Sequence, residues 1–228
     1  MLYEDNYKNI ILFYKSEYFK YLELNNPKLI DKIFKGIYED PDLKDRDLYK
    51  MLGEKYNLLN RSNYLVDIVD NKKIKMGADF IIGIEEIKNN TNNIFECMKI
   101  YKKLRTNLMF YFIWPRHKLP TINTLRYSVY RDRFDLFLFD IKQYFNGIDT
   151  PLNAAYENGT TKIWLSKFNN DFQKFIDGLH LKIFVNDNYE VKNITDNSII
   201  TSLSAYKNLN DFEIRKYINT LLNLWFNY

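Results

Sequence analysis

Three groupings of acid and lysine are the residues in this chain best suited to chemistry: Asp79 with Glu86 and Lys88, Asp140 with Lys142, and Asp42 with Lys44. Two carboxylates and a lysine gathered around a magnesium ion can activate water against a phosphodiester, and Asp79, Glu86 and Lys88 have that outline. The pattern recurs because the chain is rich in Asp, Glu and Lys, so a solvated charged face is the plainer reading of each. His117 and His180 lie in different segments with no second histidine at helical spacing, which argues against a histidine-built zinc site. Cys97 stands alone beside Phe95 and Met98, where a buried, inert thiol is expected. The chain has no Gly-x-Ser-x-Gly elbow and no Walker or dinucleotide loop. These residues name no catalytic residue, no metal ligand and no cofactor.

The charge pattern says more. Between Lys99 and Arg133 the cations Lys99, Lys102, Lys103, Arg105, Arg116, Lys118, Arg126, Arg131 and Arg133 face Asp132 alone, a net +8 in a chain whose total is +4. The remainder is net acidic, so the basic character is local, as a footprint for phosphates would be. Tyr101, Phe110, Tyr111, Trp114, Tyr127 and Tyr130 interleave with these cations, and aromatic faces can stack on unpaired bases. Against this, Phe110 to Trp114 also read as a core strand that the cations merely rim.

These residues need elements to position them. Apolar spacing predicts helices over 5–24, 27–36, 48–56 and 92–105, with the charged stretch 39–47 as a connection. Tyr64 to Val69 and Lys73 to Met76, flanking Asp70-Asn71-Lys72, read as a β-hairpin. Phe80 to Ile84 is ambiguous, and Leu108 to Trp114, closed by Pro115, reads as a buried strand. Asp132 and Asp135 look like a capping pair that opens a helix ending at Gly147. A further helix is expected from Thr160 or Thr161 to Gly178, a second hairpin over 182–192, and a last helix from about Asn210. The expectation is an α+β fold, a mostly helical single domain over 1–228, with a small antiparallel sheet made of the two hairpins and the 108–114 strand. Helices of 1–37 would be appended to 38–228.

Composition fits that picture. The 228 residues are 46% hydrophobic and 27% charged, as in a globular domain, whereas 17% aromatic is about twice the ordinary share. Seven Gly and five Pro leave too few turn residues for a strand-dense sandwich. A single cysteine, an opening without a signal-peptide pattern and no long apolar run point to a reducing cytoplasm. Heavy use of Asn, Ile, Lys and Tyr suggests an AT-rich coding genome, as in a bacterium or its phage.

The centre of the chain also resembles a known family. Ile122-Asn123-Thr124-Leu125-Arg126, then Asp132-Arg133-Phe134-Asp135-Leu136, Asp140-Ile141-Lys142 and Tyr144-Phe145 are similar to the signature of a family of bacterial and phage proteins of unknown function. In that family an Ile-Asn-x-x-Arg stretch precedes an Asp-Arg-Phe-Asp-Leu helix ending in a Tyr-Tyr or Tyr-Phe pair. The resemblance extends over most of the chain after about residue 38. It implies no activity, cofactor or catalytic residue, and it directs attention to Asn123, Arg126, Asp132, Arg133 and Asp135.

The expectation is a non-catalytic cytoplasmic binding protein of the phage or mobile-element kind, which blocks or modulates host machinery. Its partner would be a host protein or a protein–nucleic-acid complex such as a CRISPR effector. The interface would use Lys99, Lys102, Lys103, Arg105, Arg116, Lys118, Asn123, Arg126, Arg131 and Arg133, with exposed aromatics between them. The alternatives are a magnesium-dependent nuclease or toxin acting through Asp79, Glu86 and Lys88, and a structural or self-assembling module.

Overall fold

The computed structural model describes residues 45–61, 63–82, 108–116, 122–131, 133–206 and 209–226. The helices expected over 5–36 and 92–105, and most of the 39–47 connection, lie outside them. The described residues form an α+β fold with one four-stranded antiparallel sheet, in the order β1-β2-β3-β4.

Helix α1 (Asp45–Tyr56) leads into β1 (Leu59–Arg61), β2 (Tyr64–Val69) and β3 (Lys72–Phe80). The β2–β3 hairpin is as expected, with Val69 paired to Lys72 around a two-residue turn. Asp70 and Asn71 both adopt positive φ, 49° and 61°, the left-handed pair that matches the twist of the strands. Of the ambiguous stretch, Phe80 closes β3 and buried Ile81 and Ile82 follow in a bend, while Gly83 and Ile84 lie outside the described residues. A 3₁₀ turn (Leu108–Phe110) then opens β4 (Tyr111–Pro115), which is buried along its whole length and pairs with β3 from Met76↔Pro115 to Phe80↔Tyr111.

Seven α-helices are described in all. After α1 come α2 (Ile122–Tyr130), α3 (Phe134–Phe145), the single turn α4 (Asn153–Tyr156), α5 (Gly159–Ser166), α6 (Phe172–Gly178) and α7 (Asp211–Phe226). Helix α3 stops where Gly147 takes φ +75°. The long helix expected to Gly178 is two: Asn169 and Asn170 both turn to φ +54°, and the Asp171 carboxylate accepts from Lys174 N to restart the chain as α6.

The second hairpin is also corrected. Residues 182–184 form a 3₁₀ turn, and only the single bridges Val185↔Val191 and Lys192↔Ile199 form beyond it. The Asn186 carboxamide takes up the backbone donors that a ladder would use, accepting from Asn188 N and Glu190 N. The sheet therefore contains one expected hairpin, the short β1 and β4, which starts at Tyr111 because the first three residues of the expected 108–114 strand form the 3₁₀ turn.

Among the described residues, aromatic side chains concentrate in the core. Trp114 of β4 meets Trp164, Phe137 and Tyr156 with ring centroids 5.2, 5.7 and 6.2 Å away. Phe112 meets Phe134 at 5.0 Å, and Phe134 meets Phe184 at 5.1 Å. Many of these pairs are edge-to-face, the arrangement that ring quadrupoles favour by about 0.5–1.5 kcal/mol beyond area burial. They lock β4 against α3, α5 and the 182–184 turn. No described helix is long and apolar enough to cross a membrane.

Candidate nucleic-acid interface

The residues that carry the family resemblance lie in the core. Arg126 is 1% exposed on α2 and gives Nη1 to Ile81 O at 2.9 Å and Nη2 to Phe80 O at 3.0 Å. It therefore ties the end of β3 to α2, with its guanidinium carbon 5.2 Å from the Phe134 ring centre. Arg133, 2% exposed, forms a two-pronged pair with Asp135 and also donates to Asn193 Oδ1 at 3.0 Å. Its guanidinium lies over the rings of Tyr217 and Tyr206 at 4.9 and 5.4 Å. Burial works against the Arg133 charge, and the hydrogen bonds and charge of Asp135 more than restore it, so the guanidinium is held above its ordinary range. Asp135 accepts from Ile194 N at 3.1 Å, so one ion pair fixes the start of α3, the 193–194 loop and the inner face of α7. Arg133 occupies the cap position of α3 without a side-chain cap, and Asp135 faces Arg133, so the expected capping role of Asp135 is replaced by this pair. Asp132 lies outside the described residues.

Asp140 is fully buried and accepts from Tyr130 Oη and from Thr150 Oγ1, the latter at 2.7 Å. Burial raises its carboxyl above the usual range, against the pull of those hydrogen bonds. On α5, Trp164 Nε1 donates to Asp67 Oδ2 at 3.0 Å, and Lys167 pairs with the same carboxylate, which ties β2 to the helices.

Two expectations are corrected by this geometry. Arg126 and Arg133 are core braces and present no charge to a partner. The interleaved aromatics Phe110, Tyr111, Trp114 and Tyr130 are 0–3% exposed, whereas Tyr127 is 41% exposed. Of the other predicted interface residues, Arg131 pairs with Asp211 Oδ1 at 2.7 Å beside α7, and Arg116 is exposed next to β4. Asn123 belongs to α2, but its side chain lies outside the described residues, as do Lys99, Lys102, Lys103, Arg105 and Lys118. Glu86 and Lys88 of the magnesium constellation lie outside them too, and among the described residues no three His, Cys, Asp or Glu side chains gather as for a metal.

The structure assembles a different surface around Arg116. Side chains alternate along β3, so Lys73, Lys75, Gly77 and Asp79 share one face. Cross-strand pairing adds Ile68 opposite Lys73, Val66 opposite Lys75, Leu59 opposite Val66 and Arg61 opposite Tyr64. Arg116 N donates to Lys75 O at 2.8 Å, continuing the β4 register so that Arg116 stands beside Lys75. Arg61, Lys73, Lys75 and Arg116 are all exposed, Lys75 Nζ lies 5.0 Å from the Tyr64 ring centre, and Leu59 and Ile68 are 49% and 54% exposed. Among the described strand residues of this face, no acid occurs before Asp79. Sequence reading missed it because Arg61, Lys73 and Lys75 come from outside the basic segment, and only strand register brings them to Arg116.

This face runs into a cavity of about 320 Å³ lined by Tyr49, Gly77, Asp79, Trp114, Arg116 and Ile122 among others. Asp79 is half-buried, and no hydrogen bond or ion pair reaches its carboxylate from the described residues. Desolvation pushes its pKa up to about 6, against the charges of Arg126 and Arg116. Chemically, the arrangement offers a row of exposed cations on one face of the sheet, ending where Gly77 and Asp79 stand opposite the buried Trp114 and Phe112, with a desolvated acceptor in a small pocket.

Comparison with curated proteins and with solved structures finds no match to either. A family model does match residues 42–224, most of the described fold, including both arginine braces, the cationic face and the cavity. The chain belongs to the DUF6994 family, a family of unknown function.

Proposed function

We propose that this protein is a non-catalytic binding protein whose open sheet face holds a phosphate-bearing partner, a nucleic acid or a complex that contains one. The observation that carries this reading is the in-register row of Arg61, Lys73, Lys75 and Arg116 with Tyr64, Leu59 and Ile68 on one exposed face. Cations of one sign, close together and without an ion pair among the described residues, raise the local concentration of a polyanion. The interspersed aromatic and aliphatic side chains add contact area for bases. The phage or mobile-element setting, the bacterial cytoplasm and a role in modulating host machinery belong to the same proposal. They rest on the composition, the lone cysteine and the resemblance of the central segment.

The test is recovery of partners from a bacterial lysate with the tagged protein, with and without nuclease, beside a Lys73→Glu/Lys75→Glu variant. Recovery of a nucleic acid or nucleoprotein by the wild type, lost in the variant, is expected. Equal recovery by both proteins would overturn the assignment of the face.

A further inference from the structure

We infer that the cavity at the end of the cationic face is a pocket for one nucleotide unit, which takes a base with an exocyclic amino group on the Asp79 carboxylate and its phosphate on Arg116. The inference rests on the sheet-face reading and extends it from a charged surface to a base-selective one.

Three observations carry it. The cavity is continuous with the cation row, because Lys73, Lys75, Gly77 and Asp79 succeed one another on the same face of β3, about 7 Å apart at each step. A strand whose phosphates follow Lys73 and Lys75 is thereby led over Gly77 into the pocket. Second, about 320 Å³ lies at the small end of ligand cavities, the size for one small group and not for a folded domain. Third, the pocket's polar groups are of opposite kinds. Asp79 is an acceptor with no described hydrogen-bond partner, and Arg116 is an exposed cation on the rim.

The acceptor decides the class of base. A carboxylate in a low-dielectric pocket is satisfied by N–H donors, and cytosine, adenine and guanine offer an exocyclic amino group, whereas thymine offers only its N3–H between two carbonyl oxygens that repel a carboxylate. Gly77 leaves the entrance open: a Cβ there would approach nothing closer than Trp114 O at 3.9 Å and Arg116 Cγ at 4.0 Å. The position thus accepts a side chain without disturbing the sheet, and a larger one would occupy the space of the ligand. Tyr49 lines the pocket from α1, and Ile122 closes it at the start of α2.

The experiment is an anisotropy titration of labelled dC12 and dT12, with calorimetry of CMP and UMP, on the full chain and its Asp79→Asn and Gly77→Val variants. Cooperative urea unfolding of each variant checks the fold. The wild type is expected to bind dC12 about tenfold more tightly than dT12. Asp79→Asn should abolish that preference, and Gly77→Val should lower dC12 affinity to the dT12 level while leaving salt-dependent binding in place. Equal affinity for CMP and dC12, both lost in Gly77→Val, would also support the pocket and identify a free nucleotide as its ligand. Strand binding that is indifferent to base and to Gly77→Val would overturn the pocket and leave the sheet-face reading standing. No binding of either strand and no heat with CMP would overturn both.

Discussion

Arg133 and Asp135 meet through two parallel hydrogen bonds, Nε to Oδ1 at 2.8 Å and Nη2 to Oδ2 at 2.7 Å, and neither side chain is more than 2% exposed. A guanidinium and a carboxylate are buried this deeply only where each is satisfied, and here Asn193, Ile194 N and two tyrosine rings complete the set. Asp135→Ala leaves the buried cation without its counter-charge and is expected to cost about 3–5 kcal/mol. Arg133→Lys keeps the charge but loses the fork, and should fall between wild type and Asp135→Ala. Urea unfolding followed by tryptophan fluorescence measures both, and a cost below about 1 kcal/mol for Asp135→Ala would contradict the role of this pair.

Arg126 makes a separate prediction. It satisfies the carbonyls of Phe80 and Ile81 where β3 ends, so Arg126→Met should leave two acceptors unmet at a cost of about 2–4 kcal/mol. Amide exchange should rise first at Ile81, whose N–H is bonded to Phe110 O, because the β3–β4 junction loses its tie to α2. Uniform exchange across the sheet would count against this local role.

Asp79 should behave in the opposite sense. Desolvation raises its folded-state pKa to about 6 from an ordinary 3.8, even though Arg116 and Arg126 pull it down; Tyr49 of α1 also lines the pocket. The folded protein then holds a proton more tightly than the unfolded chain between pH 4 and 6, and the stability from this group is lost as pH rises through that window. Asp79→Asn removes the charge penalty and is expected to stabilise the fold by about 1–3 kcal/mol at pH 7.5, with little gain at pH 4. Paired urea titrations at the two pH values give the difference. A destabilised variant at pH 7.5 would show that Asp79 is a structural carboxylate and not a poised one.

Much of this was written locally in the chain. Alternating β-branched residues around Asp70 and Asn71 specify the hairpin, and the apolar face from Phe134 to Phe145, ended by Gly147, specifies α3. Helix α2 was hidden because its buried stripe is Ile122, Arg126 and Tyr130, with a charge at the centre of the helical period where an apolar residue was sought. The same arginine counted as surface charge, an error that only the distant Phe80 and Ile81 carbonyls could correct. The break after α5 did have a local signal in Asn169-Asn170-Asp171, which the strong aromatic spacing on either side outweighed. The cation row had none, because pairing of β1, β2, β3 and the end of β4 sets it, and pairing is a long-range property.

On the proposed function, Arg61, Lys73, Lys75 and Arg116 act together on phosphates. Anisotropy of a labelled single-stranded oligonucleotide, titrated with wild type and with Lys73→Glu/Lys75→Glu between 50 and 200 mM salt, tests it most directly. Four phosphate contacts predict a log–log salt slope of about −3 for the wild type. The double variant should bind at least about 100-fold more weakly with a slope near zero, while its thermal unfolding stays within a few degrees of wild type because both lysines are exposed. Wild-type affinity that does not change with salt, or a double variant that binds as tightly as the wild type, would rule out a shared role of these four cations.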